Sequence, residues 1–298
     1  MQLPIVHHPD YDARFPSDHR FPMSKYARLF EVLRERGLAD NLHVPDLPSA
    51  AMIGRAHDDD YVAQVIACTV PKAIEREIGF PVDERVSRRA QLATAGTMLA
   101  ARLALSHGIA CNTAGGSHHA RRTQGAGFCT FNDVAVASAN LLADGTVSRI
   151  LVVDLDVHQG DGTAEILQGE ARAFTFSMHA EKNYPVRKAQ SDLDIGLPDG
   201  VEDDDYVTRL NDLLPELERY ARPELVFYNA GVDPHADDKL GRLSLTKDGL
   251  RRRDEAVVSY FHTRGIPLCG VIGGGYSKDI DALADRHAIL FEAAIAFI

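Results

Sequence analysis

The chain has 298 residues, 45% apolar and 25% charged, which suits a globular fold with an ample core and excludes a disordered or low-complexity chain. A net charge of -11 speaks against holding nucleic acid through phosphate contacts and weakly favours cationic substrates or basic peptides. No apolar run is long enough to span a bilayer, and the first ten residues lack the basic and apolar regions of a secretory signal, so the expectation is a cytoplasmic protein.

Residues 3–7 read as a short strand, after which Pro9, Pro16 and Pro22 keep the chain irregular until Ser24 caps a helix running to about Gly37. A second helix is predicted over 57–70, with Asp58 to Asp60 in the first turn, where negative charge suits the dipole. Apolar positions Leu92, Ala95, Met98, Leu99 and Leu103 recur at helical spacing over 86–107, and Gly108 stops them. From there strands at 109–113, 150–155, 173–178, 224–229 and 267–272 alternate with helices at 132–143, 163–167, 203–220, 246–264 and 280–297. Such alternation predicts an α/β fold: a single open, mostly parallel sheet with helices on both faces. Without a linker, composition shift or repeat, residues 1–298 read as one domain. The four cysteines, Cys68, Cys111, Cys129 and Cys269, form no CxxC pair, so reduced and mostly buried thiols are expected.

Ligands of such sheets bind beyond the carboxyl ends of the strands, and four of these ends carry unusual residues. The strand at 150–155 is an unbroken apolar run that meets Asp154, Asp156, His158 and Asp161. Asp154, Asp156 and His158 alternate onto one face, where burial is costly without a cation. The strand at 109–113 runs into two glycines and then His118 and His119; the strand at 224–229 runs toward Asp233; the strand at 267–272 runs into three glycines and Tyr276. Taken singly, an Asp-x-Asp is commonly a cap or turn, a His-His pair is commonly core or surface filling, and the glycine run lacks the spacing of a dinucleotide or P-loop motif. Their joint arrival at one sheet edge favours a site. Asp156, His158 and Asp233 would make a three-donor metal site of mixed oxygen and nitrogen with open positions, the catalytic type. Asp154 and Asp161 are the carboxylates left to fix the tautomers of His118 and His119, and Tyr276 is a donor suited to an oxyanion. The chemistry is that of a metal-assisted amide hydrolase.

On the motifs Gly-Gly-Ser-His118-His119-Ala, Gly127-Phe128-Cys129-Thr-Phe-Asn132-Asp133, Asp154-Leu-Asp156-Val-His158-Gln-Gly-Asp161-Gly and Gly273-Gly274-Gly-Tyr276, the chain resembles the zinc-dependent histone deacetylase superfamily, which includes acetoin-utilisation and acetylpolyamine deacetylases. Tyr228-Asn-Ala-Gly-x-Asp233 and Leu240-Gly-Arg-Leu-Ser look most like its class IV branch. The resemblance covers nearly the whole chain and implies an arginase-like open α/β fold. It implies zinc, or iron in vivo, on Asp156, His158 and Asp233. His119, oriented by Asp161, would be the general base; His118, paired with Asp154, an electrostatic partner; Tyr276 the oxyanion donor. Phe128, Tyr184, Leu240, Gly127 and Gly274 would wall a tunnel for the acyl-lysine stem. A structural potassium would lie under the metal strand, on Asp154, Ser177 and the backbone carbonyls of Asp156, His158 and Met178. Gln159 departs from the His-His-Gly form of other branches without touching the metal, and residues 72–84 have no clear counterpart of the loop that grips a peptide.

The reading implied is a deacetylase acting on acetyl- or longer acyl-lysine in proteins or peptides, with an acylated polyamine or other small amine as the alternative substrate. An arginase-like ureohydrolase would need a second metal, for which too few carboxylates remain. A protein that binds acyl-amines without turnover would lack catalytic groups, and none is missing here.

Overall fold

The computed structural model describes residues 2–298. Its centre is an eight-stranded sheet in which every adjacent pair is parallel. The strands are β1 (Ile5–Val6), β2 (Leu42–His43), β3 (Ile109–Asn112), β4 (Ile150–Asp154), β5 (Ala173–Ala180), β6 (Leu193–Leu197), β7 (Leu225–Asn229) and β8 (Leu268–Val271). They lie in the order β2-β1-β3-β8-β7-β4-β5-β6. The four central strands, β3, β8, β7 and β4, are buried throughout, as expected where both faces are covered.

The cover is helical: α1 (Lys25–Glu35), α2 (Ala50–Gly54), α3 (Asp59–Ile66), α4 (Lys72–Ile78), α5 (Glu84–His107), α6 (Asp133–Ala143), α7 (Asp161–Leu167), α8 (Asp203–Ala221), α9 (Lys247–His262) and α10 (Ile280–Ile295). The long α5 packs on β1, β3 and β8, while α8 packs on β4 and β5. The Asp83 carboxylate caps α5 by accepting from Val86 N at 2.9 Å, and Gly108 ends it at φ 85°, a backbone region that favours glycine.

Three features depart from the pattern in the sequence. The two outer strands, β2 and β6, were not expected; β2 is only two residues long, and β6 is half-buried with Asp194 in it, so neither carries an apolar signature. The helix expected over 57–70 is the shorter α3, with Asp58 standing before it, and α2, where Ser49 accepts from Met52 N, is a separate helix that was not expected. The rim segment forms α4, after which Gly79 turns the chain at φ 96°.

Candidate metal centre and active site

β4 ends at Asp154, and the chain then bends so that Asp156 and His158 turn toward Asp233, which follows β7. Oxygen atoms of Asp156 and Asp233 and a nitrogen of His158 lie within 4.8 Å of one another. His158 Nδ1 is 3.0 Å from Asp156 Oδ1 and 3.1 Å from Asp233 Oδ2. The remaining carboxylate oxygens are held by backbone donors: Gly274 N–H to Asp156 Oδ2 at 2.7 Å, and Val157 N–H to Asp233 Oδ1 at 2.9 Å. All three side chains are buried.

The electrostatics of this cluster call for a cation. Burial, reinforced by the like charge of Asp156, pushes the Asp233 carboxyl up to about 7. Burial opposes protonation of His158, but hydrogen bonds to Asp156 and Asp233 outweigh it and raise the imidazole to about 10. Two buried carboxylates on one imidazole nitrogen are thus short of positive charge, and a divalent ion among them would supply it. The donor set, two oxygens and one nitrogen without sulfur, fits a catalytic zinc or iron site.

Beside the cluster stand two imidazoles whose ring centroids are 4.1 Å apart. His118 Nδ1–H donates to Asp154 Oδ2 at 2.6 Å, and His119 Nδ1–H donates to Asp161 Oδ1 at 2.6 Å. Their environments drive them apart. Burial lowers His118, yet the charges of Asp154 and Asp156 prevail and raise it to about 9. Burial and the neighbouring His118 lower His119 to about 4, Asp161 notwithstanding. Asp161 is itself shared with Arg121, whose Nη2 lies 2.9 Å from Oδ2.

Tyr276 leaves β8 on the glycine run and brings its ring to 6.1 Å from that of His158. Burial, with Asp156 and Asp233 nearby, raises its phenol well above the usual value, so it stays a proton donor. Phe128, Tyr184, Leu240 and Gly127 line a cavity of about 420 Å³ whose floor is His119, His158 and Tyr276. Gly274 does not line it: having no Cβ, it packs beneath, against the carboxylates of Asp156 and Asp233, which corrects its expected place in the tunnel wall. Ser177 sits beside Asp154 in the sheet register, and its hydroxyl pairs with His179 Nδ1 at 2.9 Å. Met178 follows it on β5. Gln159 turns away from the cluster and donates to Asp194 Oδ1 and Ala189 O.

Several residues that frame the site were not singled out from the sequence. Asp133 accepts from Gly116 N, Ser117 N and the Thr97 hydroxyl, and so fixes the turn that carries both histidines. Asn229 Nδ2 donates to Asp154 Oδ1 at 2.9 Å. Asp238 accepts from Tyr276 N at 2.6 Å, and the buried Lys25 ammonium donates to Gly273 O at 3.0 Å, so the tyrosine loop is held from two sides. Arg253, fully buried on α9, donates to Leu155 O and Gly231 O, one residue before Asp156 and two before Asp233, and pairs with Asp254. Asp133 and Asn229 lie inside recognisable motifs; Asp238, Lys25 and Arg253 have no local signal, because their partners are distant in the chain.

Comparison with known proteins is consistent with this geometry. The histone deacetylase domain matches residues 19–292. The chain is 47% identical over 296 residues to an uncharacterized protein of Picosynechococcus sp., with 99% of each chain covered. It is 31% identical over 291 residues to histone deacetylase 2 of Arabidopsis thaliana, covering 93% of this chain and 75% of that protein. The acetylpolyamine aminohydrolase of Burkholderia pseudomallei has the same fold, with a TM-score of 0.79 at 23% identity over 99% of each chain.

Proposed function

This chain belongs to the histone deacetylase family of hydrolases, and from that premise we propose that it is a zinc-dependent deacylase, one catalytic domain over 1–298, that removes acetyl or longer acyl groups from lysine side chains of proteins or peptides. The observation that carries this reading is the convergence of Asp156, His158 and Asp233 with the His119–Asp161 pair and Tyr276, of which His158, His119 and Tyr276 line one cavity.

Zinc, or iron in vivo, held by Asp156, His158 and Asp233, would supply Lewis acidity to the amide carbonyl and to an attacking water. The rest falls to the protein. The aromatic walls of Phe128 and Tyr184 accept an apolar alkyl stem and a neutral amide more readily than a free ammonium. His119, neutral because burial and His118 hold its pKa down, takes a proton from the attacking water at Nε2, since Nδ1 is engaged by Asp161. It then gives that proton to the leaving lysine nitrogen. His118 keeps positive charge beside the reaction, stabilised by Asp154. The Tyr276 hydroxyl donates to the oxyanion as it forms. A structural potassium on Asp154, Ser177 and nearby carbonyls belongs to the same proposal, as does a cytoplasmic location.

The test is hydrolysis of fluorogenic acetyl-lysine and longer acyl-lysine peptides with and without a chelator. Activity that survives both chelation and His119→Ala would sink the mechanism.

A further inference from the structure

The chain is acidic overall, yet the mouth of the catalytic cavity is not. Arg20, Arg76, Lys182 and Arg242 line it, against the single carboxylate of Glu77. Arg242 is matched by Asp199 at 2.8 Å, but among the described residues Arg20, Arg76 and Lys182 have no carboxylate partner within ion-pair distance, and all three are exposed. A second cavity of about 270 Å³ shares Arg20, Leu240 and Tyr276 with the first and adds the exposed Lys239 and Lys278, with Asp18 as its one carboxylate. Among the residues that line the two cavities, five unmatched cations therefore face two carboxylates, whereas a run of carboxylates such as Asp203 to Asp205 lies at the start of α8.

Resting on the deacylase reading, we infer that the preferred substrate is an acyl-lysine set in an acidic peptide segment. The tunnel takes the neutral acylated side chain. Peptide residues two or three positions away, at roughly 3.3 to 3.6 Å each, then lie over the mouth, within about one screening length of its cations at physiological salt. Aspartate or glutamate there is attracted. The free ammonium groups of an acylated polyamine, or the lysines and arginines of a basic tail, are repelled. Net charge alone points the other way, because it averages over a surface the substrate never meets.

The experiment uses the metal-loaded full chain and three acetyl-lysine peptides of one length, flanked by glutamate, serine or lysine, with N-acetylspermidine as a fourth substrate. The glutamate-flanked peptide is expected to exceed the lysine-flanked one about tenfold in kcat/KM at low salt. The gap should lie in KM rather than kcat, and should close toward 0.5 M salt. Arg76→Glu and Lys182→Glu, both at exposed positions, should each shrink the ratio, and anisotropy of the same peptides carrying a fluorescent label should rank them identically without turnover. Equal cleavage of all three peptides, or preference for the lysine-flanked one, overturns the inference and leaves the deacylase reading standing. Turnover of N-acetylspermidine alone overturns both.

Discussion

Two adjacent imidazoles with opposite shifts are what a proton-transfer site needs, because one stays charged while the other is free to accept. His119→Ala should lower kcat by about 10² to 10⁴ without unfolding the site, since Asp161 keeps its bond to Arg121. Tyr276→Phe should cost about 10² or more in kcat with little change in KM. The sign of the pH effect follows from His119: its pKa is lowered to about 4 from 6.5, so its basic form persists below pH 6, and a divalent cation nearby would lower it further. The acid limb of kcat/KM, measured with metal in excess, is therefore expected below 6.5. A limb above that value would place the base on another group.

At the scale of elements, the site is a set of strand ends joined to glycine turns. Gly274 shows why a side chain is not tolerated there: a Cβ would intrude on Asp233 Oδ2 and Asp156 Oδ2 closer than any real contact allows. Gly274→Ala should thus reduce bound metal per chain while the far-ultraviolet circular dichroism is retained. The central strands and their terminal residues were legible in the sequence because burial on both faces leaves an uninterrupted apolar run followed by abrupt polarity, as in β4 and Asp154. The outer strands were not, since β6 is half-exposed and mixes Asp194 among its apolar residues. The same holds for side chains. Asp156 and His158 announce themselves by spacing, but Lys25 meets Gly273 across 248 positions, and Arg253 sits in a helix that reads as an ordinary charged surface until its burial is seen. Net charge, for a related reason, carries no information on where the charges lie, and does not show that Arg20, Arg76, Lys182 and Arg242 line the cavity.

On the scale of the whole molecule, one buried ion pair ties the helical cover to the sheet. Arg253 joins Asp254 to the carbonyls of Leu155 and Gly231, while Tyr228 donates to Asp254 at 2.5 Å. Arg253→Met should cost roughly 3 to 5 kcal/mol in urea unfolding, because it strands a buried carboxylate; adding Asp254→Leu should recover part of the loss. Metal binding and protonation are likewise linked. In the metal-free protein Asp233 and His158 both have raised pKa values, about 7 and 10, so their contribution to stability is present at low pH and fades as pH climbs through those values. Metal must displace these protons. Affinity should therefore rise from pH 6 to pH 8, with proton release visible as a buffer-dependent binding enthalpy in calorimetry; a pH-independent affinity would contradict this linkage.

The order of the strands has one more result. Asp156 and His158 follow β4, but Asp233 follows β7, and β8, which carries the tyrosine loop, is threaded between β3 and β7. A chain emerging from the ribosome holds only two of the three donors until more than two hundred residues have been made, and its central sheet has a gap until β8 arrives. Loading of an ion held by these three residues would thus be one of the last events of biogenesis, since a nascent chain lacks the full donor set until then.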